Sequence, residues 1–104
     1  MIPNSTYIDS LSGGDPVFRQ KLISVINKEF PEEKEAYYQS YKAHNFKKAA
    51  ENVHKLKHKI SILGLEKSYH IAVDHENNLK EGKTPLYDQF EAILKVMTDY
   101  IATL

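Results

Sequence analysis

From Phe46 to Leu63 apolar residues return every three or four positions, at Phe46, Ala49, Ala50, Val53, Leu56, Ile60 and Leu63, and the pattern stops at Gly64. An unbroken stripe of that period is one face of an α-helix, so the middle of the chain is committed to a helix with one buried side. Within it, "LKHKISIL" also alternates apolar and polar residues and carries two β-branched isoleucines, as a strand would. The rest of the chain offers that segment no second strand to pair with. Helix is expected there.

The glycines and prolines fall between apolar-periodic segments and read as helix punctuation. Asp15-Pro16 offers an N-cap and a first-turn proline ahead of the stripe Phe18, Leu22, Val25, Ile26 and Phe30, and Pro31 is expected to end that helix. Ala36, Tyr37 and Tyr41 give a weaker amphipathic helix from Glu32 to about His44, and Asn45 caps the central helix. Leu65, Tyr69, Ala72, Val73 and Leu79 make the next, closing near Gly82. Thr84-Pro85 opens the last, with Leu86, Phe90, Ile93, Leu94, Met97, Tyr100, Ile101 and Leu104 in its stripe. A short helix from Ser5 to Leu11 is also expected. Connections this short join antiparallel neighbours. The expected fold class is all-α: a single domain over residues 1–104, built as an antiparallel up-and-down four-helix bundle with one or two additional N-terminal helices.

The chain has no cysteine, which excludes disulfides and thiol catalysis and fits a reducing compartment. Its apolar runs fall short of the roughly 18 residues of a membrane span, and the N-terminus lacks a basic segment followed by an apolar one. A cytoplasmic location, no membrane partner and a monomer are expected. Fourteen basic and fourteen acidic side chains balance, which argues against a general nucleic-acid binder. Charge is nevertheless uneven: Lys42, Lys47, Lys48, Lys55, Lys57 and Lys59 face a single acid in that stretch, Glu51. Such a face is either solvated surface or the complement of an acidic partner, where it speeds encounter. Stacking aromatics are not interleaved with these lysines, so no nucleic-acid partner is expected.

At about 100° per residue, with Val53 and Ile60 at the centre of the buried stripe, His54 lies at its edge. Lys57 lies one turn on, and His58 and Ser61 flank the same shoulder. On the following helix Glu76 falls in phase with Leu65, Tyr69, Ala72 and Leu79, where a carboxylate needs a partner. His54 on the adjoining helix is one, since an imidazole N–H donates to a carboxylate. If Glu76 accepts from Nδ1–H, Nε2 keeps its lone pair toward solvent and becomes a nucleophile, stabilised as it turns cationic. Lys57 can then turn its ammonium to the anion the ring receives.

These residues resemble the histidine-containing phosphotransfer (HPt) domains of two-component phosphorelays. The resemblance rests on His54-x-x-Lys57, Gly64 ten residues after the histidine, the "LSGGDPVF" opening, Phe30, Leu65 and Glu76, and covers roughly Ile8 to Lys83. It implies a phosphoryl carrier without kinase activity. His54 would take the group from the phospho-aspartate of one receiver domain, in a hybrid histidine kinase, and pass it to the aspartate of another, in a response regulator. It also implies that Lys57 contacts the phosphoryl group, that Glu76 bonds the histidine ring, and that Gly64 supplies a tight turn and clearance. Lys47, Ala50, Lys55, His58 and Ser61 would meet the partner. No resident cofactor is implied, and Mg2+ would come with the receiver.

One position departs from the family. Glycine or another small residue usually follows the lysine, and here it is His58. Either the partner surface suits a larger side chain, or the bundle has lost transfer and is a non-phosphorylated helical adaptor that binds or sequesters a receiver. His54, Lys57 and Glu76 together favour the former. Blander readings stand beside these: His54 as a boundary histidine, and Glu76 as the structural ion-pair partner of Lys57 or Lys80. His54 and His58, at i and i+4, also match the spacing of paired zinc ligands, but no third ligand falls at a recognisable spacing and no metal site is expected. His44, His70 and His75 are expected at the surface, and the tyrosines and the last helix in the core.

Overall fold

The computed structural model describes residues 1–104 and contains five α-helices and no strand: α1 (Thr6–Ser12), α2 (Pro16–Lys42), α3 (Phe46–Ile62), α4 (Glu66–Lys80) and α5 (Tyr87–Ile101). No helix is long and apolar enough to cross a membrane. The ambiguous segment at residues 56–63 is helical to Ile62. Contact is most extensive between α3 and α4 and next between α2 and α3; α5 meets α4 and α2, and α1 lies on α2.

Local chemistry sets the helix ends. Asp15 Oδ1 accepts from the backbone N–H of Val17 and Phe18 at 2.9 and 3.3 Å, and Pro16 fills the first turn. Asn45 caps α3 through Lys48 N–H at 3.2 Å. Gly64, at φ +74°, turns the chain from α3 into α4, and the Asn4 N–H donates to Leu63 O at 2.8 Å across that turn. A Cβ on Gly64 would stand 2.5 Å from Asn4 Nδ2, so glycine serves both the left-handed backbone and the close approach of the N-terminal segment.

Pro31 does not end a helix. α2 runs through it to Lys42, merging the two segments expected on either side. Proline removes the N–H that would bond to the Asn27 carbonyl, but Pro31 and Asn27 are both exposed, so water can take that carbonyl's place in the ladder. Opposite the break, Glu29 and Glu33 hold Lys59 of α3 at 2.9 and 3.3 Å, tying both sides of the proline to one neighbour. Lys59 is therefore buried rather than part of the basic face. The buried line of α2 is Ile23, Ile26, Phe30 and Tyr37, while Phe18 and Val25, expected in the stripe, are exposed.

α4 is also turned from its expected phase. Its buried residues are Ser68, Ala72, His75, Glu76 and Leu79, with Tyr69 and Val73 half-exposed. His75, expected at the surface, is fully buried: its Nε2 shares a 2.9 Å hydrogen bond with the Tyr37 hydroxyl, and its ring lies 4.9 Å from that of Phe90. The tyrosines are mixed, from Tyr37 in the core to exposed Tyr7.

Burial pushes His75 down to about 4 from 6.5, so between those values the unfolded chain binds a proton that the folded one refuses. Stability should therefore be complete above pH 6.5 and fall by about 3 kcal/mol on acidification toward pH 4. Glu91, raised by burial, acts in the opposite sense. Urea unfolding across this range should show the decline in the wild type and a flatter profile in His75→Gln, which keeps a polar group for Tyr37.

Candidate functional site

The roll of α3 decides which side chains face α4. Val53, Leu56 and Ile60 fill its buried line, and Ala50, His54, Lys57 and Ser61 follow one another at three- and four-residue steps along the adjoining edge. On α4, the phase set by Ala72, His75 and Leu79 puts Glu76 beside the core line rather than in its middle. The two edges meet, and Glu76 lies beneath His54.

Glu76 is surrounded by three cationic or potentially cationic groups. Lys57 Nζ stands 2.8 Å from Oε1, while His54 Nδ1 at 3.3 Å and Lys80 Nζ at 3.4 Å share Oε2. The carboxylate side chain is 8% exposed, Lys57 13%, and His54 and Lys80 58% each. Oε1 is sealed from water and accepts no well-aligned hydrogen bond, so its compensation is the field of Lys57 at ion-pair distance. Burial alone would raise the Glu76 carboxyl. Lys57, Lys80 and His54 outweigh burial and hold it below the ordinary carboxylate value, so it is ionised at neutral pH.

The His54 contact is longer than a well-formed N–H···O bond and orients the ring by charge and proximity. With Nδ1 turned to the carboxylate and the ring more than half exposed, Nε2 is the nitrogen on the open side. His58 lies one turn on, exposed, with its ring edge-on to that of His54 at 5.6 Å.

Two hollows flank His54. One, of about 820 Å3, is lined by Lys47, Ala50, Glu51, Lys55, Glu76 and Lys80. The other, of about 350 Å3, brings Tyr7 and Leu11 of α1 against Lys57, His58, Ser61 and Tyr69. The structure thus gathers Lys47, Lys55, His58 and Ser61 around the histidine. Ala50, the small residue between them on α3, is buried and lines the larger hollow. Gly64 lies at the far end of α3, with Ser61 on the wall of a separate cleft. Lys57 pairs with Glu76, as one of the alternatives for that carboxylate had it, and lies 5.7 Å from the centre of the Tyr69 ring.

Lys80, expected only as an ion-pair partner of Glu76, also lines the hollow beside His54. The i, i+4 spacing of Glu76 and Lys80 was the available signal for its place at the site. Tyr7 and Leu11 carried no such signal, since tertiary packing alone brings α1 here. No group of three or more His, Cys, Asp or Glu side chains converges as metal ligands would. No family model, curated protein or solved structure matches the chain.

The buried ion pair generates a test. Lys57→Met should cost about 2 kcal/mol, less than breaking an isolated buried pair, because Lys80 and His54 remain beside Glu76. In a Glu76→Gln background the same change should cost under about 1 kcal/mol. A double-mutant cycle by urea unfolding at pH 7 measures the difference; equal costs in both backgrounds would show that the pair contributes nothing.

Proposed function

We propose that this chain is a phosphorelay intermediate of the HPt kind: an antiparallel four-helix bundle, α2 to α5, with α1 across one end. It carries a phosphoryl group on His54 between receiver-domain aspartates. The observation that carries the reading is the solvent-accessible ring of His54 above a buried, ionised carboxylate 3.3 Å from Nδ1. A histidine satisfied as a boundary residue has no need of an ionised group brought into the protein beneath it.

In the transfer, the Nε2 lone pair attacks the phosphorus of the receiver's acyl phosphate. The Nε2–P bond forms as the P–O bond to the aspartate breaks, and its electron pair leaves with the aspartate as a carboxylate. No proton need leave, because Nδ1 keeps its hydrogen toward Glu76 and the loaded ring carries the positive charge. Glu76 stabilises that cation, and Lys57 neutralises Glu76 while adding a positive field near the incoming dianion. Transfer onward reverses these bonds. Mg2+ belongs to the receiver, and the chain supplies no turnover reaction of its own. Such a carrier acts in the cytoplasm as a monomer.

The basic hollow of Lys47, Lys55 and Lys80 supports the same reading, since a receiver's phosphorylation pocket is acidic. His58 favours the alternative, a non-phosphorylated adaptor, because a ring 5.6 Å from that of His54 narrows the approach.

Incubation with a phosphorylated receiver discriminates the two. Label should move to the wild type and not to His54→Gln. Stable complex formation with no label on either protein would support the adaptor, and equal labelling of both would mean that His54 is not the acceptor. His58→Gly should bind and exchange label at least as fast as the wild type if crowding is the only role of that ring.

A further inference from the structure

The reading of His54 as phosphoryl acceptor leaves open which cation meets the group once it is attached, and this inference rests on that reading. The two candidates differ in what already holds them. Lys57 Nζ is 2.8 Å from the solvent-sealed oxygen of Glu76, and its side chain is 13% exposed. Turning it outward would strip Oε1 of its nearest countercharge inside the protein, a costly step. Lys80 Nζ sits at 3.4 Å from the other oxygen, the one that also faces His54 Nδ1, and its side chain is 58% exposed. Lys80 also lines the 820 Å3 hollow with His54, Lys47 and Lys55, whereas Lys57 lines the smaller one, shared with Tyr7 and Leu11 of α1.

From this asymmetry we infer that Lys80, on the hollow side of the ring, is the cation that contacts the phosphoryl group on His54, while Lys57 stays with Glu76 as its counter-ion. The exchange is balanced. Lys80 gives up a long contact with Oε2 for a phosphoryl oxygen, and Oε2 keeps the ring N–H, now cationic and a stronger donor. A long exposed lysine makes that swing at little packing cost, being flexible and already hydrated. The hollow's other charged groups are Lys47, Lys55 and Glu51. The two lysines add to the positive field, and Glu51, exposed on α3, opposes it from one side.

The test needs no knowledge of the natural partner. Phosphoramidate loads histidine directly: Nε2 attacks phosphorus, the P–N bond breaks, and ammonia leaves. Fragmentation mass spectrometry locates the modified histidine among the five. The readout is the 31P titration of the attached group, because a cation in contact favours the dianion and lowers its second pKa. Lys80→Met should raise that midpoint by about half a unit to one unit, and Lys80→Arg should restore it. The urea midpoint of Lys80→Met should be nearly unchanged, since the side chain is exposed.

Lys57→Met should move the titration less than Lys80→Met does. The reverse order, or a wild-type midpoint in Lys80→Met, would overturn the assignment. If phosphoramidate modifies other histidines and leaves His54 untouched, the acceptor reading falls and this inference with it. If His54 is loaded and titrates as expected but no receiver exchanges label with it, the phosphoryl site stands and the relay role fails.

Discussion

A carboxylate taken out of water must be matched by charge, and the site is organised around that need. Glu76 is nearly buried at the seam of α3 and α4, and Lys57, Lys80 and His54 converge on it from two helices. An ionised carboxyl left alone there would protonate or pull the helices apart. Its lowered pKa means that the surrounding cations more than compensate for burial. The orientation of His54 follows from this balance, because a ring beside an ionised carboxylate presents a nitrogen to it and turns the other nitrogen outward.

The same logic fixes α3 from the opposite side. Lys57 and Lys59 are two residues apart, so they leave the helix about 200° apart, and each is buried against carboxylates of a different neighbour. Lys57 meets Glu76 of α4, and Lys59 meets Glu29 and Glu33 of α2. A rotation of α3 that shortened one pair would lengthen the other. The apolar line between them, Val53, Leu56 and Ile60, tolerates small rolls as any smooth stripe does, whereas two opposed ion-pair systems define one roll angle. His54 thus takes its direction from contacts on both flanks. The clamp at Lys59 also spans Pro31, which helps explain how a helix broken in its hydrogen-bond ladder remains one continuous support.

Much of this was legible in the sequence, and the failures share a cause. Periodicity located α3, α4 and α5 and both halves of α2, and the caps at Asp15, Asn45 and Gly64 act where the residue types implied. The placement of His54 beside Glu76 followed from counting 100° steps on two stripes. Pro31 misled because a proline's effect depends on which side of the helix it occupies, and its exposure is a property of the packed structure. His75 and Lys59 misled because polar residues were assigned outward by type, yet each has a partner far away in sequence, Tyr37 for one and Glu29 and Glu33 for the other. Ala50, in the apolar stripe of α3, is buried as that stripe implies. Single-helix patterns report burial of apolar groups, and a buried polar group becomes visible only when its partner is placed.

Charge counting connects this packing to the proposed chemistry. Before loading, Lys57 and Lys80 against Glu76 leave the cluster with one net positive charge, His54 being taken as neutral. In the proposed loaded state a phosphoryl dianion on Nε2 would bring two negative charges and the ring it makes cationic would return one positive, so the cluster would be neutral. With an amide in place of Glu76, the same two lysines would hold an excess of positive charge in both states, and the cationic ring would lose its counter-ion. With Lys57 alone, the loaded state would be net negative at a half-buried seam. On the proposed chemistry, one carboxylate paired with two lysines would leave the loaded cluster uncharged and the empty one attractive to an anion, with one of those lysines nearly buried and the other exposed.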